Sequence, residues 1–137
     1  MTLADDNSIY QPLRIAFGLV PLLAGLDKFF GLLADWEAYL SPTIAGLLPV
    51  SPGTFMAVVG VIEIAVGVMV LTRWVRLGAY LAMGWLVLIA INLLLAGFLD
   101  VAVRDLVMAV GAYTLARLAE ARQGAAVRSP ARQAARA

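Results

Sequence analysis

The chain has 137 residues, 63% of them hydrophobic and 14% charged, with a net charge of +1 and a mean hydropathy of +0.92. A soluble domain carries about 25% charged residues, so the composition excludes an ordinary soluble globule, and so small a net charge excludes nucleic-acid binding through bulk charge. The lack of Cys and His excludes disulfides, thiolate or imidazole metal centres and the usual haem ligands, so neither metal nor haem is expected.

Residues 1–12 read MTLADDNSIYQP. Two acids, Asp5 and Asp6, stand where a secretory signal would be basic. This segment is therefore read as a cytoplasmic lead into a retained helix. A span needs about 20 predominantly apolar residues, and the apolar runs predict four, at about 13–33, 53–71, 76–99 and 102–118. Strands would need a closed barrel of alternating polarity, which these runs lack. The expected fold is an all-α integral membrane protein, a four-helix antiparallel bundle. The long loop 34–52 carries Pro42, Pro49 and Pro52, and TIAGLL between them predicts a short helix.

Lys and Arg in short loops orient the chain. The first loop has two acids and no base. Arg73 and Arg76 follow the second span, and Arg117, Arg122, Arg128, Arg132 and Arg136 run into the tail. Both termini are therefore expected in the cytoplasm, with loop 34–52 outside. The tail 119–137 is basic and poor in bulky apolar residues, which predicts a disordered segment. Arg14, Arg73 and Arg76 are expected at lipid headgroups.

Within the spans, small and ionisable residues recur in steps of three and four. The first span gives Arg14, Gly18, Pro21, Gly25 and Lys28. The second gives Gly53, Met56, Gly60, Glu63 and Gly67. The third gives Gly78, Ala82, Trp85, Ile89, Asn92 and Ala96, and the fourth gives Arg104, Met108, Gly111 and Leu115, with Asp105 beside them. Such steps keep residues on one helix face. Small faces let helices approach closely in lipid, and Gly18, Gly25, Gly60 and Gly67 are assigned to that packing. A charge at the bilayer centre costs at least about 2.5–3.5 kcal/mol on insertion scales, so intramembrane charges face one another or a wet cavity. Lys28, Glu63, Asn92, Arg104, Asp105 and Asp27 are therefore expected to converge in the outer half of the bundle. Lys28 would pair with Glu63 or Asp105, and Arg104 with Asp27 or Asp105. Phe29, Phe30, Trp36, Trp85 and Phe98 are candidates to wall an apolar pocket.

The stretches RIAFGLVPLLAGLDKFFGL, GVIEIAVGVMVL, Asn92 and VRDLVMAVGAYTL, in that order, resemble the DoxX family of small four-helix membrane proteins. The likeness covers about Leu13 to Leu118. It implies four spans with both termini in the cytoplasm of a bacterial or archaeal plasma membrane. It also implies a redox association, since the related DoxD type belongs to a thiosulfate:quinone oxidoreductase. Lys28, Glu63, Arg104 and Asp105 match the family's polar positions, and the lack of His and Cys means that no metal-ligand or thiol role carries over. The resulting expectation is a redox accessory subunit that binds a quinone or other lipid and works with a partner protein or a second copy. The alternative is a non-catalytic scaffold that recruits a partner through the outer loop or the basic tail. A transporter is disfavoured, because no inverted repeat is visible.

Overall fold

The computed structural model describes residues 3–134, with side chains described over 7–127. The described chain is helical, without a strand. Its elements are α1 (Leu3–Asp27), a 3-10 turn (Trp36–Tyr39), α2 (Pro42–Leu47), α3 (Pro52–Leu71), α4 (Val75–Ala96) and α5 (Leu99–Ala134). Three segments are long and apolar enough to cross a membrane: Asn7–Asp27 of α1, Pro52–Leu71 and Val75–Ala96. α5 carries Asp100, Arg104 and Asp105 in its first two turns and is not among them.

Local chemistry sets the boundaries. Ser51 caps α3, accepting the Thr54 N–H at 3.2 Å, and Ser41 caps α2, accepting the Ile44 N–H at 3.3 Å. In both helices a proline follows at the first position, where its missing N–H has no intrahelical partner to lose. α4 ends at Gly97, whose φ of 87° lets the Phe98 N–H return to the Leu93 carbonyl at 2.9 Å.

α1 differs most from the expected first span. It begins at Leu3, so residues 3–12 are helical and continuous with the span, and it ends at Asp27, six residues before the expected end at 33. Gly31, at φ 63°, turns the chain there. A carboxylate at a helix C-terminus opposes the helix dipole by about 0.3–1 kcal/mol. Asp27 offsets this with three donors: the Leu32 N–H at 2.8 Å, the Leu33 N–H at 2.9 Å and the Trp36 indole N–H at 2.8 Å. Three charge-assisted bonds to one carboxylate offset the opposing dipole.

The tail also differs from expectation. α5 continues without a break through Ala134, so 119–134 is helical and not disordered. Residues 135–137 lie outside the described residues. α4 stops at Ala96 and α5 starts at Leu99, against the expected limits of 99 and 102. The short helix expected between the prolines is present as α2.

α1 packs mainly on α3 and α5 on α4, while α3–α4 and α1–α5 contacts join the two pairs. The α1–α3 seam is glycine against glycine. A Cβ on Gly25 would lie 2.6 Å from the Gly60 carbonyl oxygen, and one on Gly67 would lie 2.6 Å from that of Gly18. The apolar core gathers at the end holding the chain termini, around Tyr10, Val70, Val75, Ala79 and Leu115. The opposite end, where residues 28–51 cross, holds the polar groups.

Candidate functional site

The polar stripes of α1 and α3 meet at this loop end. Lys28 lies just past the last turn of α1, and Glu63 lies on the buried face of α3. The Lys28 ammonium donates to Glu63 Oε2 at 2.6 Å, and both side chains are more than nine-tenths buried. Trp36 closes over the pair, with the Lys28 Nζ 3.8 Å from its ring centroid. A desolvated cation on an indole face gains about 2 kcal/mol. The same indole donates to Asp27, so Trp36 links both charged residues of the Asp27–Lys28 step.

Two further groups adjoin Glu63. The Trp85 indole and the Asp105 charge both act on its carboxylate. The Trp85 Nε1–H is buried and makes no hydrogen bond of full geometry. Asp105 is buried on α5 and accepts from Arg104. Together these groups place an ion pair, a second carboxylate and a buried indole N–H among apolar helices. Such a set can hydrogen-bond a carbonyl or hydroxyl of a small apolar molecule, or hold a proton.

The other expected residues separate into distinct roles. Asn92 uses both ends of its amide, donating to the Tyr39 carbonyl at 2.7 Å and accepting the Ser41 N–H at 2.9 Å. It therefore fastens the crossing loop to α4 and does not contact the ion pair. Arg104 pairs with Asp105, one of its two expected partners, at 3.0 Å, but its side chain is 65% exposed and does not join the buried cluster. The buried stripe of α5 runs through Ala102, Asp105, Ala109, Ala112, Ala116 and Ala119. Methyl side chains allow α4 to approach there, and this turns Arg104 outward.

Arg14 was expected at lipid headgroups. Its guanidinium donates Nε and Nη2 to the carbonyls of Val70, Leu71 and Thr72 at 3.1, 2.7 and 2.9 Å. These are orphan acceptors at the C-terminus of α3, where a cation also complements the dipole. Arg73 is exposed near the Trp74 ring, and Arg76 approaches Glu120 at 3.8 Å. The five candidate aromatics do not wall one pocket. Phe29 and Phe30 are exposed, Phe98 packs on Tyr39, and only Trp36 and Trp85 adjoin the ion pair.

Sequence reasoning missed Glu120. It accepts from Tyr80 at 3.1 Å and from Arg117 at 2.8 Å, tying α4 to α5. Its spacing of three residues from Arg117 was the available signal.

Large apolar side chains such as Leu23, Val61, Leu88 and Val107 are exposed, while Asp27, Glu63 and Asp105 are buried. That distribution is inverted relative to a protein in water, and with three spanning-length helices it defines an integral membrane protein in contact with a lipid bilayer. No family model matches the chain, and no characterised protein or solved structure matches it either.

Proposed function

We propose that the chain is a DoxX-like accessory subunit of a membrane redox system, binding a quinone or similar lipid beside Glu63. In this reading it is a four-helix antiparallel transmembrane bundle in a bacterial or archaeal plasma membrane. Both termini face the cytoplasm and the polar cluster lies in the outer half. The observation that carries the reading is the Glu63 carboxylate, buried with Lys28 at 2.6 Å and faced by the buried Trp85 N–H. A quinone carbonyl accepts a hydrogen bond from Trp85 or Lys28, and Glu63 passes a proton. Reduction to the quinol consumes two electrons and two protons. The electrons come from a partner protein or a diffusible donor, and a second copy of the chain is a further candidate partner.

The test uses the full chain in lipid nanodiscs with added ubiquinone or menaquinone. Glu63→Gln removes the carboxylate that passes the proton and is expected to slow quinone reduction about 100-fold or more. Trp85→Phe keeps the ion pair, removes one neutral donor and is expected to weaken binding about 2–10-fold. Quinone binding indifferent to Trp85→Phe, with quinone reduction indifferent to Glu63→Gln, sinks the proposal.

A second reading has its own support. Lys28 and Glu63 satisfy each other, and Asp27 and Asn92 are fully engaged within the chain. On that reading the polar groups only order the helices, and the protein is a scaffold recruiting a partner through loop 34–52 or the tail. A stoichiometric partner, lost on truncation after Leu118 or on replacement of the loop, supports it.

A further inference from the structure

At the end opposite the ion pair, a cleft of about 560 Å³ opens between α1, the turn joining α3 to α4, and α5. Pockets that hold small molecules span about 300–1,000 Å³. Arginines from three elements line it: Arg14 from α1, Arg73 from the turn and Arg122 from α5. Among the described residues, none of the nine that line it is acidic.

Two of these arginines are held in place. Arg14 is fixed by the three carbonyls at the end of α3, which leaves its Nη1 without a hydrogen bond among the described residues. Arg122 lies 4.3 Å over the ring of the buried Tyr10 and donates to Asn7 Oδ1 at 3.2 Å. Arg73 is exposed at the rim. Three like charges in one recess repel one another, and an anion between them removes that repulsion. Guanidinium forks match the oxygens of phosphate and bind them in pairs. Gln123 and the Thr72 hydroxyl add neutral polar groups to the lining.

We infer that this cleft is a phosphate-binding site, taking the phosphate of an anionic phospholipid headgroup or that of a soluble phosphate compound. The site is separate from the Glu63 cluster and does not depend on the reading proposed for it.

The full chain is purified in detergent, and native mass spectrometry compares retention of phosphatidylglycerol with that of phosphatidylcholine. Wild type is expected to retain phosphatidylglycerol preferentially. Each arginine near a lipid surface contributes about fivefold, so Arg73→Gln is expected to lower the preference about fivefold and Arg73→Gln with Arg122→Gln about twenty-five-fold. Arg76→Gln with Arg117→Gln removes the same charge from exposed arginines paired to Glu120 and is expected to leave the preference intact.

Inorganic phosphate separates the two sources. Phosphatidylglycerol retention unmoved by millimolar phosphate assigns the site to a headgroup. Displacement of the lipid by phosphate, with saturable thermal stabilisation lost in Arg73→Gln, assigns it to a soluble phosphate. Absence of both lipid preference and phosphate response overturns the inference. So does an equal loss in the Arg76/Arg117 control, because the attraction is then diffuse. Arg73→Gln alone keeps the test decisive if the double variant does not fold, since Arg73 is exposed and makes no hydrogen bond among the described residues.

Discussion

Lys28 and Glu63 sit 2.6 Å apart, each more than nine-tenths buried. Removing one partner of such a pair costs about 3–5 kcal/mol, because the other charge is left buried and alone, whereas replacing both with apolar residues is often neutral. Lys28→Leu and Glu63→Leu are each expected to destabilise by that amount, and the double variant by less than either single. Thermal unfolding in detergent measures all three, and additive losses would show that the two residues do not depend on each other. The pairing was legible in the sequence because helical steps of three and four put Lys28 in line with Gly25, and Glu63 in line with Gly60, on facing stripes. Arg104 pairs with Asp105 as one alternative had it, but its outward direction was not legible, for a related reason. Adjacent residues on a helix point about 100° apart, and periodicity alone did not decide whether Arg104 or Asp105 pointed inward. The alanines at 102, 109, 112 and 116 settle that phase, and they attract no notice in a chain this rich in alanine.

At the level of elements, the α1–α3 seam rests on glycines that meet backbone. The obstacle to a methyl on Gly25 or Gly67 is a carbonyl oxygen at 2.6 Å, which cannot rotate away as a side chain can. Gly25→Ala and Gly67→Ala are expected to destabilise by about 1–3 kcal/mol through overpacking. Gly84 has nothing within 4 Å of a built Cβ, so Gly84→Ala is expected to be neutral or to stabilise by up to about 1 kcal/mol through helix propensity. Denaturant titration compares the three, and equal effects at Gly25 and Gly84 would refute close packing at the seam. The glycine stripes were visible in the sequence, but the end of α1 was not. FFGLL resumes the apolar run after Asp27 and Lys28 and carries it to 33, so hydropathy continues the span. The stop lies in hydrogen bonding, with Asp27 gathering the N–H groups that follow and Gly31 taking a left-handed φ. The helical tail is also obscured, because low hydrophobicity reads as disorder although its alanines and arginines are good helix formers.

For the whole molecule, the even number of long helices proposed to cross the bilayer puts both ends of the chain on one side. The protein has no cysteine, so single cysteines can report sidedness. In intact spheroplasts, a membrane-impermeant maleimide is expected to label Ser51→Cys, and Gln123→Cys only after lysis. Labelling of both before lysis would reject the proposed orientation. The spanning helices could be read from composition because oil solubility is a bulk property of about 20 consecutive residues. The arginine-lined cleft could not, because its walls come from three distant parts of the chain and meet only after folding. The distance in sequence between Lys28 and Glu63 also bears on biosynthesis. The two are 35 residues apart, which at about 5–20 residues per second is roughly 2–7 s of translation. During that interval the newborn ammonium has no counterion, so the first helix is best served by staying at the translocon until the third emerges, and the two would then enter the bilayer as a neutralised hairpin.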